Sequence, residues 1–246
     1  MGLFRKRKEQ GSRIVPKKGR GSVCAVILAG GSSSRMGGQD KMAADLAGKT
    51  VIRRSILAFQ NCSMIDEIVL VTRKEGEKNC YFSCEGCDKV ARVVHGGNSR
   101  AQSAYQGVMA ASEDAELILI HDGARPLVTE QVICAVVEAA RKYGAALPVV
   151  PVVDTVKAGE GGFVTATPER SSLFAAQTPQ GFRSELIKAA LSDAIRQNAV
   201  ITDDASAVER LGMRVRMVDG DVENKKITTP DDLLAAEAIL RKREKA

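Results

Sequence analysis

The stretch Val23-Cys24-Ala25-Val26-Ile27-Leu28-Ala29-Gly30-Gly31-Ser32-Ser33-Ser34-Arg35-Met36-Gly37-Gly38-Gln39-Asp40-Lys41 decides the fold. Its first six residues are apolar without alternation. That reads as a strand buried on both faces, the pattern of a parallel sheet covered by helices. The run breaks into a Gly/Ser loop, where glycines let backbone N–H groups approach anionic oxygens and hydroxyls add donors. Arg35 and Lys41 follow at a spacing suited to neutralising a polyphosphate. The loop is not a P-loop, because GK[ST] is missing, and GxGxxG does not occur either.

Working outward, apolar runs at 67–72, 90–95, 117–121 and 145–150 repeat the strand signal. Helical spacing covers 51–59, 99–112 and the segment from Thr129 to Tyr143, with Asn98 or Ser99, Thr129 and Gly144 placed to cap. This alternation predicts a Rossmann-like α/β fold with a mostly parallel sheet. The pattern then changes. Runs at 152–157 and 163–167 flank Ala158-Gly159-Glu160-Gly161-Gly162 and predict a protruding two-stranded arm within about 151–175. An exposed hairpin is marginal alone, so the arm wants a partner. Helices at 184–197, 203–211 and 230–241 and a strand at 214–218 complete one domain over 21–246.

The net charge of +6 does not belong to that domain. Residues 1–20 hold eight basic side chains and one acid, so the remainder is close to neutral. The first twenty residues read as a disordered basic tail, and neither a nucleic-acid nor a membrane partner is expected. No apolar run approaches the roughly 18 residues of a membrane span, and no secretory core precedes the domain. Met1-Gly2 lacks the following Ser or Thr of a myristoylation signal, since Lys6 stands there. The reading is cytoplasmic. Cys80, Cys84 and Cys87 form a C-x3-C-x2-C spacing that could serve an iron–sulfur cluster or zinc. The alternative, favoured here, is a surface loop of reduced thiols with no resident metal.

In open α/β sheets ligands lie beyond the carboxyl ends of the strands. After the first strand comes the Gly/Ser loop with Arg35 and Lys41. The third is followed by Gly96-Gly97-Asn98-Ser99-Arg100-Ala101-Gln102-Ser103, a glycine pair at a helix start. At the end of the fourth stands His121-Asp122-Gly123-Ala124-Arg125-Pro126, whose aspartate can hold Mg²⁺ or a ribose hydroxyl. Three such edges converging make a nucleotide site. With two histidines in the chain, His-based acid–base chemistry is not expected.

At these residues the chain resembles the 2-C-methyl-D-erythritol 4-phosphate cytidylyltransferases. The resemblance rests on AVILAGGSSSRMG from Ala25, HGGNSRAQSA from His95, HDGARP from His121 and PVVDTVK from Pro151. AAQTPQGF from Ala175, ITDDASAVE from Ile201 and NKKITTPDDL from Asn224 extend it over nearly everything but the tail. It implies a nucleotidyltransferase domain joining CTP to a small sugar-alcohol phosphate with release of pyrophosphate. Arg35 and Lys41 match the pair at the reacting α-phosphorus, and Lys226 a further lysine there. Arg170 and Thr155 match arm residues that grip the sugar phosphate from the neighbouring subunit of a homodimer. Ala29, Gly30 and Gly31 match the CTP lining, and Gly97, Asn98 and Ser103 the cytosine reader. Asp122, Arg125 and Thr178 match substrate-contacting positions, and Mg²⁺ rides mainly on the CTP phosphates. Asn98 replaces the family's usual Asp, and Gln39-Asp40-Lys41 its Pro-Lys pairing. A ribitol 5-phosphate cytidylyltransferase would share fold and chemistry, but HDGARP and ITDDASAVE favour methylerythritol phosphate. A non-catalytic nucleotide sensor is the reading from another class.

Overall fold

The computed structural model of the chain describes residues 21–30 and 40–244. The basic tail, Gly31 and Arg35 lie outside these residues. The central strand β1 (Ser22–Leu28) pairs in parallel with β4 (Glu67–Thr72) on one side and β6 (Ala115–Asp122) on the other. β5 (Val90–His95) extends the sheet beyond β4, again in parallel. Beyond β6 lie β11 (Gln180–Arg183), antiparallel to it, and then β7 (Ala145–Pro151). β7 also pairs with β10 (Phe174–Ala176) and, in parallel, with β12 (Arg216–Asp219).

Strand β1 shows why the apolar run does not alternate. Val23, Ala25 and Ile27 enter the core on one face, and Cys24, Val26 and Leu28 the core on the other. The first face packs under α1 (Val51–Asn61) and α4 (Glu130–Tyr143). The second packs under α3 (Arg100–Met109), α5 (Ser184–Arg196) and α6 (Asp204–Arg210). A Cβ at Gly107 would meet Val26 Cγ1 at 2.3 Å, so α3 lies on the sheet at a distance only glycine allows. The closing helix α7 (Pro230–Arg243) starts at a Thr229–Asp232 capping box with proline in its first turn. It covers a small apolar cluster with Leu46, Val51 and Leu127, beside the two-residue strands β2 (Asp45–Leu46) and β3 (Lys49–Thr50).

Three expectations need correction. The arm is a hairpin of β8 (Ala158–Glu160) and β9 (Phe163–Ala166), not of 152–157 with 163–167. Gly161 and Gly162 both take positive φ, +60° and +86°. The turn therefore closes on two residues and draws 158–160 into the ladder. The cysteine segment is not a surface loop. Helix α2 (Glu77–Ser83) carries Cys80 into the core, Cys87 is buried after it, and burial pushes both thiols up. Finally, β10 and β11 fill a segment for which the sequence predicts no strand.

Candidate active site

Because β4 and β6 flank β1 on opposite sides, the sheet has its switch of strand order there, where a crevice opens beyond the carboxyl ends. The register puts Leu28 opposite Asp122 and Val71, and Thr72 opposite His95. The residues after four strands thus line one cavity of about 700 Å³. Of the expected site residues, Gly30, Lys41, Gly97, Asn98, Ser103, Asp122 and Lys226 line it. The described lining holds Lys41, Arg73, Lys74, Arg100 and Lys226 together with two carboxylates, Glu75 and Asp122. The excess of positive charge in a concave site suits a polyphosphate.

Asp122 is the electrostatic centre of the floor. Lys226 Nζ donates to its Oδ2 at 2.8 Å, Arg100 Nη2 to its Oδ1 at 3.5 Å, and Arg125 Nε lies 3.9 Å from Oδ2. Burial alone would raise the Asp122 pKa, but Arg100, Lys226 and Arg125 together hold it at about 2. Arg100 is itself fixed from behind. It forks onto the fully buried Asp204, Nη1 to Oδ1 at 3.0 Å and Nη2 to Oδ2 at 2.7 Å. That bidentate geometry makes the guanidinium part of the wall rather than a mobile surface charge. Gln180 steadies the same segment, accepting from Ala205 N–H and donating to Asp203. Lys226 is placed by its neighbour, since Ile227 N–H donates to Ala124 O at 2.7 Å.

Thr178 and Arg125 work from beneath the floor. Asp122 N–H donates to Thr178 Oγ1, which in turn donates to His121 Nδ1 at 3.0 Å. His121 Nε2 then carries the hydrogen and donates to Arg125 O at 3.1 Å, which fixes the tautomer. Burial lowers the His121 pKa to about 4, so the ring is neutral near pH 7. Arg125 Nη1 donates to Asn224 O, binding the HDGARP turn to the loop that presents Lys226.

The wall after β5 is built from its own hydrogen bonds. Ser99 caps α3, Gly97 N–H donates to Ser103 Oγ, and Asn98 N–H donates to Gln102 Oε1. A Cβ at Gly97 would stand 2.4 Å from Gln102 Cβ, so the loop needs glycine there. Ala29 is buried at the end of β1, its N–H donating to Val71 O. Thr155 and Arg170 are exposed on the arm segment and do not line the cavity. Arg170 Nη1 donates instead to Val153 O. Sequence reading passed over Arg100 as a functional group, along with Asp204, Arg73 and Lys74. The arginine and aspartate stand inside quoted motifs, but their pairing spans 104 positions of chain.

The sequence pattern of the IspD family, 2-C-methyl-D-erythritol 4-phosphate cytidylyltransferase, matches residues 23–242. The chain is 44% identical over 226 residues to the enzyme of that name from Caldanaerobacter subterraneus subsp. tengcongensis, covering 90% of this chain and all of the relative. It is likewise similar, at 44% over 229 residues, to that of Pelotomaculum thermopropionicum, covering 90% of this chain and 95% of the relative. Among solved structures, 4-diphosphocytidyl-2C-methyl-D-erythritol synthase from Anaerococcus prevotii superposes with TM-score 0.82 at 32% identity, over 90% of this chain and 96% of that one. The cytidylyltransferase from Thermus thermophilus gives 0.74 at 33% identity, over 88% and 98% of the two chains.

Proposed function

This chain belongs to the 2-C-methyl-D-erythritol 4-phosphate cytidylyltransferase family, and from that premise we propose how its cavity moves a cytidylyl group. The reaction joins CTP to 2-C-methyl-D-erythritol 4-phosphate, giving 4-diphosphocytidyl-2-C-methyl-D-erythritol and pyrophosphate for isoprenoid-precursor synthesis. The sugar-phosphate oxygen is already a nucleophile at neutral pH, so no general base is required. The barrier is an anion attacking an anion, followed by charge growing on the leaving pyrophosphate. Fixed cations answer both problems without reorganising during the reaction.

Lys41, Lys226 and Arg35 take the charge at the α-phosphorus. Ala29, Gly30 and Gly31 present backbone to the nucleotide, and Gly97, Asn98 and Ser103 flank the base. Asp122 holds Lys226 and Arg100 in place, with Arg125 and Thr178 supporting it. Both Asp122 oxygens already face cations, Lys226 at 2.8 Å and Arg100 at 3.5 Å. A Mg²⁺ carried mainly by the CTP phosphates would therefore take little from the protein, with Asp122 the residue that would share in holding it. When bound, Mg²⁺ would supply charge neutralisation to the phosphates.

The arm is assigned to a second copy. It exposes Val153, Phe163, Val164 and Phe174, and its Arg170 and Thr155 serve the sugar phosphate in the neighbouring subunit. The enzyme is placed in the cytoplasm; among the described residues no helix is long and apolar enough to cross a membrane. The observation that carries this reading is the cation-rich cavity centred on Asp122 at the switch of strand order. The experiment is pyrophosphate release with CTP and Mg²⁺, comparing methylerythritol 4-phosphate with ribitol 5-phosphate. Preference for the first is expected. Preference for ribitol phosphate moves the substrate assignment, and turnover with neither sinks it.

A further inference from the structure

Outside the cavity, three ligand-type side chains meet where the end of α1 passes the start of α4. Cys62 is the C-cap residue of α1, while Glu130 and Cys134 stand one helical turn apart on α4. That i,i+4 spacing puts both on one face of the helix. One ligand atom from each of the three lies within 4.8 Å of the others, the one such group among the described residues. The two sulfurs are 3.9 Å apart.

Two thiolates held tetrahedrally at about 2.3 Å from one zinc ion stand roughly 3.8 Å from each other. The sulfurs therefore already have the spacing of a chelating pair. A disulfide would need them to close to about 2.05 Å and would leave the carboxylate without a part. Cys62 is sealed from solvent, Cys134 is half-buried and Glu130 is exposed. The group thus has one sealed sulfur, one half-open sulfur and an open carboxylate lip through which an ion and one water can arrive.

We propose that Cys62, Cys134 and Glu130 bind a divalent cation of zinc type, with water as the fourth ligand. A thiol must lose its proton to ligate zinc, so binding releases protons and strengthens as pH rises. The amino end of α4 favours the anionic ligands once they form. The cation braces α1 against α4. Phe59 on α1 packs on His121, ring centroids 4.8 Å apart, and His121 precedes Asp122 on β6.

The test is Co²⁺ added alone to the reduced, full-length chain, read by thiolate-to-cobalt charge-transfer absorption and then displaced by Zn²⁺. One equivalent should bind, and the band should vanish in Cys134→Ser, while turnover of that variant with CTP and sugar phosphate stays at the wild-type value. Glu130→Gln, on an exposed position, should retain fold and turnover but bind Co²⁺ more weakly. An undiminished band in folded Cys134→Ser would assign the metal to other cysteines and overturn the proposal. So would the absence of any band in the wild-type chain, or a Cys62–Cys134 disulfide on air oxidation in a chain that binds no cation when reduced. Should Cys134→Ser fail to fold, unchanged Co²⁺ affinity in Glu130→Gln decides against the site.

Discussion

Asp122 and Arg170 are both charged residues assigned to one reaction, yet their surroundings are opposites. Asp122 is nearly enclosed and held by Lys226, Arg100 and Arg125, with Asp204 fixing Arg100 from behind. Arg170 is exposed, and its Nη1 donates to the backbone oxygen of Val153 in its own arm segment. The floor is prepared before any ligand arrives, so its charges cost little to orient during the reaction. On the proposed reading, the arm completes its geometry later, on contacts with a second copy. This contrast predicts that floor substitutions act on turnover and arm substitutions on substrate affinity.

The strongest way to break the comparison is Lys226→Met. It removes the floor cation nearest Asp122 while leaving a half-exposed position that tolerates the change in packing. Turnover should fall by about 10²–10³-fold, the cost of losing one preorganised charge partner, with little change in melting temperature. Steady-state pyrophosphate release and a thermal melt read both quantities. A variant that keeps its kcat but loses sugar-phosphate affinity would make the floor behave like the arm.

The floor should also govern acid stability. His121 is fully buried, with its pKa lowered from 6.5 to about 4. Unfolding exposes a ring that takes up a proton below pH 6.5, so the native state loses stability as pH falls from there to about 4. Across that window the loss amounts to roughly 3 kcal/mol, on top of any carboxylate contribution. Urea unfolding at stepped pH should show the slope in the wild type and a flatter one in His121→Asn. An equal slope in both would mean that His121 is not the group that titrates.

How much of this was readable beforehand depends on how far apart the partners stand. The helix from Thr129 to Gly144 was legible because cap, apolar spacing and terminal glycine agree locally. So were the strands of β1, β4 and β5, whose apolar runs are buried on both faces or end in glycine. Strand β11 was not. Its Gln180, Gly181 and Arg183 carry no apolar period, and it is a strand because β6 and β7 supply its hydrogen bonds. Arg100 looked like a motif residue without a task, since Asp204 reaches it only through the packing of α6. The resemblance offers Thr178 as a substrate contact, and nothing local in the sequence marks it as the hydroxyl that joins Asp122 N–H to His121. Gly31 and Arg35 fall outside the described residues, so their roles rest on the Gly/Ser loop pattern and the resemblance.

On the arm side, Arg170→Ala should raise the KM for the sugar phosphate by about 10–100-fold, the worth of one charge-assisted hydrogen bond. The KM for CTP and the melting temperature should hardly move, because Arg170 is exposed and touches neither the core nor the cavity of its own chain. Equal damage to both substrates would contradict the division between floor and arm. The proposed dimer is checked by sedimentation: Phe163→Asp, placed on the exposed face of β9, should shift the chain toward monomer.

The smallest effect should come from the wall between these extremes, at the start of α3. Ser99 Oγ accepts from Gln102 N–H at 3.1 Å, and removing it costs about 1 kcal/mol of stability, or roughly 2–4 °C in melting temperature. Two features limit the damage. Ser103 Oγ still donates to the Ser99 carbonyl at 2.9 Å, which does not need the side chain. Arg100 stands in the first turn that the cap protects, yet its guanidinium is clamped to Asp204 on another helix. If the floor is as independently built as the comparison requires, Ser99→Ala will lower the melting temperature and raise the KM for CTP a few-fold while kcat holds. A fall in kcat at unchanged CTP affinity would instead mean that the cap, and not Asp204, keeps Arg100 on Asp122.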